Sequence, residues 1–452
     1  MNSIRNARQE ELEEYCLLSE YAFQYELSGE ERRQKAEKLK PEELWGCYSE
    51  GKLAAKLMLL PLAVSIGDRE FAMGGIAVVA TWPEYRRNGY VGELLRHSFR
   101  VMRERGQSLS MLHPFSFPFY RKFGYELYTD VKTYELELSE ISRRPDPGGR
   151  FERTSDIALL RQVYDGFARG YSGMLARTGE WWVRILEDRS FTVAVWFDEI
   201  GEPRGYLRYR VRQKVMTVHE WIYRDETARA ALLAWIANHD SMAGKVTMKS
   251  PADDALSFLL PNPRFKQEVE PYAMARIVDV GEFLRRYPFR PGERLELRLD
   301  VKDEHAPWND GSFRLTIAAD GSAEAVKLEQ RGGTEAAGLA KPAAEGSAPT
   351  AEQTAAANAS SGEEDAGMGA ADAGSGAANA SSGAAYAGSG AAAGGDGAAS
   401  LACGIQALTA LFMGYQKPSA LRRLGRLDGP EAAALLLEAR LPGLTPYLSD
   451  FF

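Results

Sequence analysis

GGIAVVATWPEYRRNGYVGELLRHSF, residues 74–99, is the stretch that decides how this chain is read. Its opening residues are apolar or glycine and predict a strand to about Thr81, and the period from Val91 onward is that of an amphipathic helix. Between them lies the turn Arg86-Arg87-Asn88-Gly89-Tyr90-Val91-Gly92. A strand that turns into a helix aims backbone N–H groups and the positive end of the helix dipole at one point, which favours a phosphate or pyrophosphate there. Gly89 and Gly92 would let such a ligand approach the backbone, and Arg86 and Arg87 add charge. A second stretch follows one strand later: FPFYRKFGYE, residues 117–126, sets Tyr120 and Tyr125 on either side of Arg121, Lys122, Phe123 and Gly124.

Working outward, EELEEYCLLSEYAF reads as helix, LAAKLMLLPLAVSI and SLSMLHPF as strands, and RRPDPGG at 143–149 as a boundary near residue 145. The rhythm then repeats. DIALLRQVYDGFARG and ETARAALLAWIANH predict helices among the strands FTVAVWFDE, GYLRYRVR, MTVHEWIY and GKVTMKS, as a diverged copy of the first unit would. From about residue 287 the stretch beginning RLELRLDVK alternates apolar and polar residues, predicting strands with one buried face. Residues ~332–400 are dominated by Ala, Gly and Ser and are too poor in large apolar side chains to form a core, so they read as a surface excursion. LACGIQALTALFMGYQ and GPEAAALLLEARL then predict two helices.

Composition narrows the function. At 452 residues, two or three domains are expected, and 45% hydrophobic with 26% charged residues is ordinary for a globular protein. A net charge of −8 leans against nucleic acid and toward a cationic small molecule. Three cysteines without a CxxC pair exclude a disulfide framework or zinc cluster and fit a reducing cytoplasm. No apolar run is long enough to cross a membrane, so no membrane partner is expected. The five histidines lack metal-ligand spacing, so no metal is expected and each reads as a surface or packing residue.

The order of strand, RRxGxxG turn, helix, strand and YxxFGY resembles the GCN5-related N-acetyltransferases, the GNAT superfamily. Val91 stands where a small residue usually ends the turn, with Gly92 one place late, a departure shared by the Eis-like branch. The resemblance implies an α/β (α+β) fold. It consists of a catalytic GNAT unit at 1–145, a second GNAT-like unit without a working cofactor turn at 146–286, each with a mixed central sheet, and a sterol-carrier-like α+β domain at 287–452. It also implies acetyl-CoA as co-substrate, a small-molecule amine as partner, and a homo-oligomer, a hexamer in the family.

By the same resemblance, backbone at Val79, Ala80 and Thr81 would line the pantetheine arm, Arg87 to Gly92 would hold the pyrophosphate, and Phe115 and Ser116 would add to that surface. Tyr120 would be the general acid toward the leaving thiolate, with Tyr125 a packing aromatic. A phenol of pKa ~10 protonating a thiolate of ~8.5 is uphill by about 2 kcal/mol, so either the tyrosine's pKa is lowered or the transfer is late. The family uses its C-terminal carboxylate, here that of Phe452, as the base that takes the amine's proton, and apolar surroundings would raise that carboxylate's pKa. Glu20, Glu26 and Asp450 are candidates for pairing with a polyamine- or aminoglycoside-like substrate, and Trp181 and Trp182 for walling its pocket. In the second unit the matching turn, YRDETARAALL, places Asp225 and Glu226 where a pyrophosphate would be repelled. Other readings are a protein lysine or N-terminal amine acetyltransferase, a lipid or sterol carrier, and an assembly protein with a vestigial GNAT fold.

Overall fold

Two helical crossovers set the frame. In a computed structural model, which describes residues 2–141, 148–329 and 399–452, the strand Arg69–Thr81 is followed by the helix Tyr90–Glu104 and the strand Leu109–Leu112. The two strands pair in parallel from Met73↔Leu109 to Ile76↔Leu112. The second crossover joins Val215–Tyr223 and Lys245–Pro251, also parallel, through the helix Glu226–Ala237. Parallel neighbours require such a connection, because a tight hairpin can only return a strand antiparallel. The first crossover helix buries Leu94, Leu95, Phe99 and Met102, the stripe its sequence period predicts.

The two sheets expected from the repeat are fused into one. Strand Lys266–Ile277, from the far end of the second unit, returns to lie between Leu109–Leu112 and Glu126–Glu137. On its other side Glu126–Glu137 pairs with Lys245–Pro251. A mixed sheet of 14 described strands therefore runs through both units. Left unfilled, the gap would expose two unpaired edges in the middle of the protein. Residues 142–147, where the boundary was expected, lie outside the described residues.

The C-terminal part forms a four-stranded sheet in the order Ala323–Lys327, Gly311–Ile317, Leu295–Lys302, Ala399–Gly404. Leu295–Lys302 alternates buried and exposed positions, as its sequence predicts. Leu401 to Gly404, read from sequence as the start of a helix, instead close the parallel edge of this sheet, and the helix begins at Ile405. Of the Ala/Gly/Ser-rich segment, Ala399 and Ser400 belong to that strand and the rest lies outside the described residues. One apolar core joins Leu297, Leu299 and Phe412 of this domain with Val64, Phe71 and Ala275 of the large sheet, so the domain is built onto the first unit.

Lys56, in the strand Lys52–Ile66, is 2% exposed. Its ammonium donates to the Tyr15 carbonyl at 2.5 Å and to the Ser19 hydroxyl, with no carboxylate paired to it among the described residues. Burial lowers its pKa to about 7, whereas the unfolded chain holds that proton to ~10.4. Stability from this group therefore rises with pH between about 7 and 10, because the unfolded state binds the extra proton there. Ser19 also donates to the Tyr15 carbonyl, so Lys56→Met strands no acceptor. We expect Lys56→Met to stabilise the protein by about 1–3 kcal/mol at pH 7 and to flatten that pH slope in urea unfolding.

Candidate active site

Sequence period places the strand Arg69–Thr81, and one extra residue in it opens the site. Lys56 pairs with Ala80 but Met58 pairs with Ala77, so a bulge falls at Val78 and Val79. Val78 has φ +50°, a strained conformation for a β-branched residue. Pairing with Leu109–Leu112 stops at Ile76, before the bulge, so the two parallel strands are unpaired from there on. Val79 and Thr81 are half-buried and Ala80 is buried along this unpaired flank.

The turn that follows is exposed from Arg86 to Gly89. Gly89 at φ +81° starts the helix with no side-chain cap, leaving the first N–H groups free to meet an anion. Arg86 and Arg87 make no ion pair among the described residues, and Asn88 is exposed beside them. Tyr90 is buried, donating to Ser49 at 3.2 Å, and Val91 is half-buried. Gly92 has a different reason from the ligand approach its spacing predicts: a Cβ there would stand 3.0 Å from the Phe123 ring, so the glycine lets the helix pack on the FGY motif. In the second unit the corresponding helix is capped by the Asp225 carboxylate, which accepts from Ala228 N–H at 2.9 Å.

The second motif is held by its backbone. The carbonyls of Arg121, Lys122 and Phe123 accept from Gln406 at 3.1 Å, His305 Nε2 at 2.6 Å and Arg276 at 2.6 Å. Arg276 is fully buried, doubly bonded to Asp303 and laid over Phe99. Gly124, at φ +82°, leaves room for its guanidinium. Ser116 accepts from Phe119 N–H to start the helix Phe117–Arg121, and Phe115 is exposed, its ring edge-on to Tyr120 at 5.2 Å.

The two tyrosines separate here. Tyr125 shares a 2.7 Å hydrogen bond with Ser110, whereas the Tyr120 hydroxyl has no partner among the described residues although the ring is 2% exposed. Burial raises the Tyr120 pKa above its ordinary value. Of the two options read from sequence, burial of the ligand-free phenol runs against a lowered tyrosine pKa.

The tail reaches the other face of the same strands. Thr445 and Pro446 pair with Tyr171 and Ser172, and Thr129 donates to the Pro446 carbonyl at 3.1 Å. Phe452 is 7% exposed, and its ring lies 3.0 Å from where a Gly75 Cβ would be, whereas a Gly74 Cβ would meet Met102 of the crossover helix. Side chains alternate across a strand. Phe452 and the cluster holding Tyr120 thus lie on opposite faces of this strand, Phe452 over Gly75 and the Tyr120 cluster on the side of Gly74 and Ile76.

Two acidic candidates are corrected by their partners. Glu20 is 8% exposed and bonded by Arg32 at 2.7 and 2.8 Å, which lowers its pKa. Asp450 is 5% exposed and paired with Arg177. Both carboxylates are already held by an arginine inside the protein, Asp450 sharing its arginine with Glu220, and Glu26 alone of the three is exposed. Trp182 is core, while Trp181 donates to Asp450 at 2.8 Å.

Sequence reasoning missed His113. Its ring nitrogens are buried without partners among the described residues, its ring contacts Tyr272, Phe451 and Phe452 at 4.7, 4.4 and 5.4 Å, and burial lowers its pKa to about 3. It is a neutral imidazole beside the tail, directly after the strand Leu109–Leu112. Its lack of any local ligand spacing hid it.

This architecture has relatives. Residues 3–128 match an acetyltransferase (GNAT) domain, residues 173–277 a second acetyltransferase (GNAT) domain, and residues 280–345 with 373–449 a sterol carrier protein domain. The chain thus carries two acetyltransferase (GNAT) domains. An uncharacterized N-acetyltransferase of Streptomyces avermitilis is 25% identical over 272 residues, a match that spans 55% of this chain and 66% of the relative's length. A probable N-acyltransferase of Enterococcus faecalis, solved by crystallography, superposes with a TM-score of 0.80 at 26% identity over the full length of both chains. Eis1 from Mycobacterium abscessus shares the fold over both full lengths, with a TM-score of 0.70 at 17% identity. In this GNAT protein the uncapped helix, the exposed arginines and the bulged strand fit the pyrophosphate and pantetheine arm of acetyl-CoA. No helix among the described residues is long and apolar enough to cross a membrane.

Proposed function

We propose that this protein transfers an acetyl group from acetyl-CoA to a primary amine of a small polycationic, polyamine- or aminoglycoside-like molecule, in a ternary complex and with one acetyl-CoA per chain. The observation that carries this reading is the unpartnered Tyr120 hydroxyl on one face of the parting strands, with Phe452 on the other. Backbone N–H groups from Arg87 to Gly92 hold the pyrophosphate, flanked by Arg86. Val79, Ala80 and Thr81 line the pantetheine arm, and a backbone N–H freed by the bulge donates to the thioester oxygen as negative charge grows there. Phe115 and Ser116 close the other wall.

The amine arrives protonated, with a pKa of ~10, and loses its proton to the α-carboxylate of Phe452 before attack. Tyr120 donates its proton to the sulfur late, as the C–S bond breaks, because burial keeps the phenol neutral. The exposed Glu26 and the net charge of −8 support a cationic acceptor. The carrier reading is disfavoured because the last residues of the C-terminal domain pair with Tyr171 and Ser172 of the second unit and pack against Gly75 of the first.

Thiol release from acetyl-CoA with a panel of amines tests the reading. Tyr120→Phe should lower kcat by about 10²–10³-fold with acetyl-CoA affinity unchanged. The native enzyme should show no loss of activity up to about pH 10 that Tyr120→Phe abolishes, since Tyr120 stays protonated throughout. Undiminished turnover in Tyr120→Phe would remove the tyrosine from the chemistry.

A further inference from the structure

We infer that the second GNAT unit serves as a clamp that positions the tail of the chain in the active site of the first, with Arg177 and Asp450 as its positioning pair. This inference rests on the reading of Phe452 as the base. Arg177 lies just beyond the strand Tyr171–Leu175, the strand with which Thr445 and Pro446 pair. Its side chain is 2% exposed and bonded to two carboxylates: Asp450 at 2.9 and 3.2 Å, and Glu220 at 2.5 and 3.2 Å. Ser449 accepts from it at 3.3 Å, and its guanidinium lies 3.9 Å from the Tyr164 ring centroid and 4.6 Å from that of Trp182. Asp450 also accepts from Tyr164 at 3.2 Å and Trp181 at 2.8 Å, and Tyr206 secures Glu220 at 2.7 Å. Apart from Ser449 and Asp450, every one of these groups belongs to the second unit.

The arrangement is costly if it only fills space, since apolar side chains would pack a buried site of this volume at least as stably. What ion pairs add is direction. Chain termini ordinarily fray, yet here Asp450 is fixed two residues before Phe452, a span of at most ~7 Å. The Phe452 ring is fixed again against Gly75, and between the two anchors Phe451 stays exposed. A carboxylate so tethered has little room to stray, and misplacement of a reacting group by ~1 Å can cost 10²-fold in rate. The second unit's own crossover helix is capped by Asp225, so its retained fold has a use that needs no acetyl-CoA.

Asp450→Asn tests this, because the amide keeps an acceptor for Trp181 and Arg177 but loses the charge. Amine acetylation should fall about 10- to 100-fold at pH 7, with the KM for acetyl-CoA unchanged within ~2-fold. The deficit should shrink toward pH 10, where the free amine no longer needs a base. Trp181→Phe, which removes one hydrogen bond and keeps an aromatic ring, should show a smaller loss with the same pH signature and covers the case in which Asp450→Asn fails to fold. A deficit equal at every pH, or shared by acetyl-CoA binding, would overturn the clamp and leave a structural ion pair. A chain extended by two residues beyond Phe452 separates the two ideas. Full activity there defeats the base and the clamp together; an inactive extension beside fully active Asp450→Asn and Trp181→Phe defeats the clamp alone.

Discussion

Adding two residues beyond Phe452 is expected to lower amine acetylation at pH 7 by about 10²–10⁴-fold, the range for loss of a positioned general base. The extension moves the carboxylate off the Phe452 α-carbon and replaces it there by an amide, which cannot accept the ammonium proton. The Phe452 ring, packed against Gly75 and His113, can stay where it is. Acetyl-CoA binding should be unaffected, because the turn from Arg86 to Gly92 lies at the start of the crossover helix, whereas the tail docks on the opposite face of the strands. Isothermal titration with acetyl-CoA alongside thiol release separates the two. Weakened acetyl-CoA binding in proportion to the lost rate would point to collapse of the crevice instead of loss of a base.

Gly124→Val is expected to cost more than 4 kcal/mol in stability and to remove activity with it. Two penalties act at one position. A φ of +82° is strained for any residue with a Cβ by roughly 1–2 kcal/mol, and more for a β-branched one. The added Cβ would also fall 1.6 Å from an Arg276 guanidinium nitrogen, so Arg276 must leave a site where it bonds both Asp303 and the Phe123 carbonyl. Displacing it strands a buried carboxylate, one of the few mechanisms that produce losses of this size. Gly106→Val is the control: φ is +71° there, but among the described residues nothing lies within 4 Å of where its Cβ would be, so the backbone penalty appears alone. Urea unfolding of the two variants gives the comparison, and equal losses would show that Arg276 adjusts freely.

Much of the catalytic unit was legible along the chain because its signals are local. The apolar run to Thr81, the glycine turn and the helical stripe each follow from neighbours within a few residues, and the structure places a strand, an uncapped helix start and a buried stripe there. The alternation of Leu295–Lys302 is of the same kind. Leu401 to Gly404 misread as helix because four residues carry too little period, and the open edge of Leu295–Lys302 settled their state.

By itself, then, the sequence determined the order of the elements and the glycine turn at the helix start, since periodicity and turn chemistry are properties of short windows, and Tyr120 was singled out only through the resemblance to the GNAT superfamily. The tertiary structure decided what those windows cannot hold. It tied Tyr125 to Ser110 and left Tyr120 without a partner among the described residues, slipped Lys266–Ile277 into the first unit's sheet, buried His113 beside the tail, and paired Glu20 with Arg32 and Asp450 with Arg177. The reason is distance along the chain: Asp450 meets Arg177 across 273 residues, and a charge's fate depends on which partner the fold brings to it.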